Sequence, residues 1–429
     1  MTVEVSPRSR RRLRHASRLP SRRVLAALLA TVAAAAGFGV VFVETSLARI
    51  DGSFTTQDIS ALLPTTAPES DDEGSDDPVD AAAGKALNIL LMGSDSREGD
   101  DNQELGKGDV GGMRNDTTII MHISADRSRV EMVSIPRDSR VAISDCQMLD
   151  GSTVRGWTGK FNIAFANGGQ NGNAAEAAAC VATTVYDLTG ILVDHYAVVD
   201  FSGFVDMVDA LDGVPMCVTQ DIYSPKAHLE LEAGAQVLDG ETALAWARAR
   251  TGTGLGDGTD LMRIDRQQEL LTNMARKALG LNLLTDATKG TQFITAAASA
   301  MTMDPTFGDS HYLLGLAWSL RNFDTSNLYM TTVPWQYAGD SSGDVLWKSE
   351  EAAEVFAALK SDRSLQELLE PETTDDATTG SSSGGTDAGS SGDASATPSP
   401  SASTSSEPSV TPSPERETQQ EILADCVIP

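Results

Sequence analysis

Several short stretches of this chain carry acids and cations of the kind that could hold a phosphorylated substrate. Gly93-Ser94-Asp95-Ser96-Arg97 follows one apolar run, Arg114 and Asp116 precede a second, and Arg137 and Asp138 follow a third, after Pro136. Two carboxylates on neighbouring loops, Asp95 and Asp116, can cradle Mg²⁺, which takes oxygen ligands and leaves positions for substrate phosphates. Further on, Arg248 and Arg250 end one helical pattern, and Arg263, Arg266 and Gln267 open the next. Spacings of i, i+3 and i+4 place the last three on one face, and arginines near a helix N-terminus make an anion site. Residues two apart diverge on a helix, so Arg248 and Arg250 can act together only if the chain becomes extended between them. Each arginine alone reads as a surface salt bridge. An acidic chain that gathers Arg114, Arg137, Lys160, Arg248, Arg250 and Arg263 at loop positions reads instead as a polyanion site.

Other chemistries lack their residues. The sequence contains no H-E-x-x-H, no G-x-x-x-x-G-K-[ST] and no G-x-S-x-G elbow. Its histidines, His15, His122, His195, His228 and His311, form no ligand pair at helical spacing. His122 and His195 sit in strand-like segments and read as structural. Zinc and acyl-transfer chemistry both lose ground.

The elements that must position these residues can be read from periodicity. Leu87 to Met92, Thr117 to Ile123, Val130 to Ile135, Tyr196 to Val199, Val214 to Val218 and Met330 to Val333 read as strands, the last of them closing the series. The turn Ala125-Asp126-Arg127-Ser128 joins the second and third into a hairpin. Ala174 to Leu188, stopped by Gly190, Phe201 to Leu211, Gly240 to Ala247, capped by Asp239, and Leu261 to Leu279 read as helices. Asp260 is placed to cap the last, and Ile264, Leu271, Ala275 and Ala278 give it a core face. Strands alternating with helices imply an α/β layered domain with a mixed sheet. Sites in such sheets gather at strand ends, where Asp95, Arg114, Asp116 and Arg137 lie.

The chain has 429 residues and a formal net charge of -29, which argues against general nucleic-acid binding. Residues 1–23 form a basic arm, and Val24 to Val43 runs without a charge, so 24–46 is expected to be a transmembrane anchor with the N-terminus cytoplasmic. A cleaved signal peptide, ending near Ser46-Leu47-Ala48, is the rival reading. In either case the main domain is extracytoplasmic. Residues 47–85 are expected to be a disordered stalk, 86–370 the folded domain, 371–418 a disordered Ser/Thr/Gly/Pro-rich segment, and 419–429 a terminal Cys-containing piece. Four cysteines without a C-x-x-C pair suit two disulfides outside the cytoplasm. Cys146–Cys180 would link a loop to a helix, and Cys217–Cys426 would pin the apolar C-terminus to the core. Buried free thiols are the alternative, and spacing alone does not fix the pairing.

The strings NILLMGSDSR (88–97), RNDTTIIMHI (114–123), VSIPRDSRV (133–141), KFNIAFANGG (160–169), LTGILVDHYAVVDFSGFVDMVDALDGV (188–214), LDGETALAWARAR (238–250) and DLMRIDRQQ (260–268) together resemble the LytR-CpsA-Psr family, in its actinobacterial form. The resemblance runs from about Leu87 to Leu279 and more weakly to about Leu369. It implies an α/β/α domain with a hydrophobic polyprenyl groove, for which apolar residues of the sheet and the Phe201 to Leu211 helix are candidate linings, ordinary core being the equal alternative. It also implies a phosphotransferase that uses Mg²⁺ or Mn²⁺ to move a glycopolymer from a polyprenyl-pyrophosphate carrier to peptidoglycan. Asp95 and Asp116 would then be metal-associated. Arg114, Arg137, Lys160, Arg248, Arg250, Arg263 and Gln267 would hold the pyrophosphate, with Arg114, Arg137, Arg248 and Arg250 catalytic. A long acidic, glycine-rich insert, Glu98 to Gly112, departs from the family pattern and could form a lid or an acceptor-selective edge. Transfer to a surface protein, pyrophosphate hydrolysis, and a non-catalytic membrane-bound regulator or wall-binding protein are the alternatives.

Overall fold

The computed structural model describes residues 54–63, 80–95, 113–255, 260–279, 296, 299–340, 342–369 and 426. The expected basic arm, the anchor, the Glu98 to Gly112 insert and the 371–418 segment lie outside the described residues. Among the described residues no helix is long and apolar enough to cross a membrane.

In chain order the strands are β1 (Thr55–Thr56), β2 (Leu87–Ser94), β3 (Asn115–Ile123), β4 (Val130–Ile135), β5 (Arg140–Ala142), β6 (Cys146–Gln147), β7 (Thr153–Val154), β8 (Thr158–Lys160), β9 (His195–Val199), β10 (Val214–Val218), β11 (Ile222–Ser224), β12 (Leu229–Leu231), β13 (Gly234–Leu238), β14 (Met301–Met303), β15 (Leu328–Thr332), β16 (Trp335–Tyr337) and β17 (Val345–Trp347). The helices are α1 (Ile163–Gly168), α2 (Ala174–Thr189), α3 (Phe201–Ala210), α4 (Gly240–Arg248), α5 (Asp260–Leu279), α6 (Ser310–Ser319), α7 (Ser349–Lys360) and α8 (Leu365–Leu369).

Seven strands form the central sheet in the order β1-β14-β9-β2-β3-β4-β15. It is mixed: β2 pairs antiparallel with β3 and parallel with β9, and β4 pairs antiparallel with β3 and parallel with β15. Alternation splits its side chains between two apolar layers. Leu90, Met92, Ile120, Val133, Tyr196 and Val198 face a cluster with α1, α2 and α7. Ile89, Ile119, Met132, Ala197 and Met303 face a cluster to which α5 and α6 contribute. Alanines crowd α2, and the adjoining Gly168 packs so closely that a Cβ there would lie 2.4 Å from the Glu176 carbonyl. Asn173 caps α2 by accepting from the Ala175 and Glu176 amides, and Gly190 ends it in the left-handed conformation. A second core gathers β10–β13, β11–β12, α3, α4 and part of α5.

The structure departs from the sequence reading in several places. Part of the expected stalk is folded: Thr55 and Thr56 pair with Thr302 and Met303, Ile59 is buried, and Asp80 holds Arg127 at 2.7 Å. Val214–Val218 leaves the main sheet to pair with Gly234–Leu238, because its neighbours in sequence build the second core. The strand at Leu328–Thr332 is followed by the β16–β17 hairpin. Several strands of two or three residues are too short to show a period, and helices α1, α6, α7 and α8 add to those read from the sequence. His122, between Asn88 and Asp362, and His195, between Asp304 and Tyr312, are buried and structural. Both disulfides join the expected pairs, Cys146–Cys180 and Cys217–Cys426.

Candidate functional site

At the end of β2 and the start of β3 the chain leaves a bulged ladder, with Ser94 opposite Asn115. Two reciprocal bonds close it. The Asp95 amide donates to the Arg114 carbonyl at 2.8 Å, and the Arg114 amide donates to Asp95 Oδ1 at 2.7 Å. Asp95 is thereby fixed beside the strand that carries Asp116. Between Arg114 and Asp116, Asn115 is buried, and its Oδ1 has no hydrogen-bond donor among the described residues.

Asp116 is the electrostatic centre. Arg137 Nη1 binds its Oδ1, Arg263 Nη1 lies 3.4 Å from its Oδ2, and Arg263 Nη2 donates to its carbonyl at 3.4 Å. Burial works to raise the Asp116 pKa, but Arg263, Arg137 and Arg250 outweigh it and hold the carboxyl below its ordinary value. Arg263 is buried to 1% exposure, so its charge is sustained by this carboxylate rather than by water.

Helix α4 delivers Arg248 and Arg250. Asp239 caps it by accepting from the Thr242 amide, and at Ala249 the backbone turns extended, as the two-residue spacing required. The paths of the two arginines then differ: Arg250 acts on Asp116, and the Arg248 guanidinium lies 4.5 Å over the Phe201 ring. The first turns of α5 lock this segment in place. Gln267 Nε2 donates to the Ala247 carbonyl at 2.9 Å, and its Oε1 accepts from Thr117 Oγ1 at 3.1 Å. Arg266, which shares the sequence pattern of its neighbours, is a buried clamp on the Ala249 and Leu255 carbonyls. The Asp260 side chain lies outside what is described.

Lys160 reaches the cluster through Asp138. Its Nζ is 2.6 Å from Asp138 Oδ1, while Asp138 Oδ2 is 3.5 Å from Arg137 Nε. Arg114 is exposed at the rim. Thus Asp116, Arg137, Arg250, Arg263 and Gln267 are brought together, Asp95 and Arg114 flank them, and Lys160 joins through a carboxylate. Sequence reasoning gave no role to Asp138, and it missed Arg140, Asp340 and Asp344, which extend the same network. Asp138 had a signal, its place beside Arg137; Asp344 lies 184 positions from Lys160 and had none.

Could these residues hold a divalent cation? Asp95 and Asp116 are carboxylates on adjoining strand ends, and the orphaned Asn115 oxygen lies between them in sequence. Among the described residues no group of three or more His, Cys, Asp or Glu side chains is arranged around a metal position. A set of one or two carboxylates is what Mg²⁺ uses when substrate phosphates and water complete its shell. The donor types, two carboxylates and an orphaned amide oxygen, are those a hard cation takes, with the Asp116 oxygens shared with Arg137 and Arg263.

Arg263, Gln267, Leu271 and Ala275 follow one another at intervals of four along α5, a single stripe. Its first half, Arg263 and Gln267, faces the Asp116 cluster. Its second half packs on the sheet layer where Leu91, Met121, Met301 and Met330 are only partly buried. In the Phe201–Ala210 helix, Phe204 and Val208 pack in the second core.

The chain matches the LytR_cpsA_psr family over residues 57–361. It is 34% identical over 281 residues to the probable cell wall biosynthesis protein LcpB of Corynebacterium glutamicum, covering 64% of this chain and 61% of that protein. It is 31% identical over 209 residues to the polyisoprenyl-teichoic acid–peptidoglycan teichoic acid transferase TagU of Halalkalibacterium halodurans, covering 48% of this chain and 58% of that one. The matched stretches therefore span less than two thirds of either relative. Among solved structures, protein gbs0355 from Streptococcus agalactiae has the same fold, with a TM-score of 0.51 at 23% identity over 65% of this chain and 89% of that one.

Proposed function

Since the chain belongs to the LytR_cpsA_psr family, we propose that it is a phosphotransferase that moves a glycopolymer phosphate from a polyprenyl-pyrophosphate carrier to a hydroxyl of peptidoglycan. The observation that carries this reading is the convergence of Arg137, Arg250 and Arg263 on Asp116 at the strand ends. Two guanidiniums bound to one carboxylate, with the charge of Arg250 acting on it as well, leave excess positive charge that suits a pyrophosphate. The α5 stripe supports a lipid-linked donor, because polar and apolar halves in line match a charged head and an apolar tail.

In the proposed reaction an acceptor hydroxyl oxygen attacks the glycan-linked phosphorus. A new P–O bond forms, the bond to the bridging oxygen breaks, and polyprenyl phosphate departs with the electron pair. The hydroxyl proton passes to a base, and Asp116 is the poorer candidate because its arginines lower its proton affinity. Arg137, Arg250 and Arg263 stabilise charge on the transferred phosphoryl and leaving oxygens, positioned in advance by Asp116, Gln267 and the α4 terminus. Arg114 is placed at the rim, where the outer phosphate would enter, and Arg248 at the edge toward α3. Mg²⁺ or Mn²⁺, held by Asp95 and Asp116, would supply further neutralisation of the phosphate charge. A chain with this role would be anchored in the cell membrane by 24–46, with the folded domain outside.

The test is transfer by the full chain from a polyprenyl-pyrophosphate glycan to peptidoglycan oligomers, with and without Mg²⁺. A phosphodiester product that depends on Mg²⁺ and disappears in Arg137→Ala supports the reading. Polyprenyl phosphate released without labelled peptidoglycan redirects it to water or a protein acceptor. Tight lipid binding without turnover favours a regulator or wall-binding protein.

A further inference from the structure

Lys160 and Arg140 stand directly opposite each other on the β5–β8 ladder. Two cations in that register repel, although backbone bonds at both ends, from the Ile143 amide to the Trp157 carbonyl at 3.0 Å and from the Phe161 amide to the Ser139 carbonyl at 2.9 Å, hold the strands together. Asp344, from the β16–β17 hairpin, lies between them. Its Oδ2 accepts from Arg140 Nε at 2.8 Å, and its Oδ1 is 3.4 Å from Lys160 Nζ. The hairpin itself is pinned beside the Arg137–Arg140 turn. The Val345 amide donates to the Asp138 carbonyl at 3.1 Å, and Trp347 Nε1 donates to Ser139 Oγ at 2.9 Å. Asp340 and Ser342 in the connecting turn take the remaining Arg140 Nη2 bonds, at 2.7 and 2.9 Å. The result is an alternating chain of charge, Asp116–Arg137–Asp138–Lys160–Asp344–Arg140–Asp340, running from the anion site to the surface.

We propose that Asp344 is a positioning residue for the anion site: by holding Lys160 and Arg140 on one carboxylate, it fixes the Lys160 ammonium where a pyrophosphate is bound. This rests on the function proposed above. Lysine is a flexible point charge, and the Lys160 side chain is 40% exposed, so its position depends on its partners rather than on packing. Asp138 alone faces the competing pull of Arg137. Asp344 adds the second anchor and is itself only 9% exposed, held by the hairpin.

Simple charge counting predicts the opposite outcome. A carboxylate that merely lay near the site would repel a polyanion, so removing it would tighten binding. A carboxylate that positions Lys160 would weaken binding when removed. The probe is farnesyl pyrophosphate, titrated calorimetrically into the detergent-solubilised full chain. Asp344→Asn should raise Kd about threefold, the scale of one partly exposed ion pair. In a Lys160→Met background the same substitution should have no further effect, which separates positioning from a general loss of the hairpin. Unchanged or tighter binding in Asp344→Asn, or an equal loss in the Lys160→Met background, overturns the inference alone. A wild-type chain that does not bind the probe overturns the proposed function, and this inference with it.

Discussion

Arg263 grips Asp116 twice, through the carboxylate at 3.4 Å and through the main-chain carbonyl at 3.4 Å, and does so from a position almost wholly out of solvent. Side chain and backbone of one residue are thus held by a single buried guanidinium. Arg263→Ala should therefore cost stability as well as activity. Breaking a buried pair costs roughly 3–5 kcal/mol, and because Asp116 is 28% exposed we expect the lower end, about 3 kcal/mol. Urea unfolding of the variant measures it; a loss under about 1 kcal/mol would mean that the pair is not sustaining the site.

Arg137→Ala and Asp95→Ala should separate chemistry from folding. Arg137 is partly exposed and leaves Asp116 still paired with Arg263. Transfer should fall by at least about 100-fold, as when a preorganised charge is removed from a transition state. Near-ultraviolet circular dichroism should be unchanged. Full turnover in either variant removes that residue from the proposed role.

The acid response of stability should have two components of opposite sign. For Asp116 and Asp80 burial raises the pKa, but their arginines outweigh it and the folded value is lowered. Their stabilisation is present above the unfolded pKa near 3.9 and is lost as pH falls through the depressed folded values. Glu131 runs the other way: burial raises its folded pKa above 4.5, despite the Leu365 amide and Arg129. It binds its proton more tightly when folded, so its contribution declines as pH rises above about 4.5. Unfolding free energies at pH 3, 5 and 7 for Arg127→Gln and Glu131→Gln would show it. Arg127→Gln should weaken the acid-side loss, and Glu131→Gln should flatten the change above pH 4.5.

The Cys146–Cys180 bridge closes a loop across a sequence separation of 34 residues and sits in a small buried cluster with Met148. The chain-entropy account assigns such a loop about 3–4 kcal/mol. Cys146→Ser with Cys180→Ser should lower the unfolding free energy by that amount. A loss below about 1 kcal/mol would place the stabilisation in packing instead.

Much of this was legible in the sequence, for identifiable reasons. Strands β2, β3 and β4 and helices α2, α4 and α5 carry strong periodicity, with clear caps at α2 and α4, and they present Asp95, Asp116, Arg137, Arg250 and Arg263. Arginine and carboxylate types at strand ends were enough to expect an anion site. What stayed hidden depends on tertiary placement. Arg266 has the same type and spacing as Arg263, yet it turns to the Ala249 carbonyl. Asp344 acquires its role only when a hairpin docks on the Arg137–Arg140 turn. Strands of two or three residues, such as β5 and β8, are too short to show a period, although their pairing sets Arg140 opposite Lys160.

The Cys217–Cys426 bridge makes one covalent ring of the chain between those positions. Arg248, Arg250, Arg263, Gln267 and Asp344 all lie within that ring. A single proteolytic nick anywhere along it, including in the Ser/Thr/Pro-rich stretch before Cys426, therefore opens the ring without releasing a fragment. Until the bridge is reduced, a once-cut molecule keeps its cationic residues and its terminus as one object.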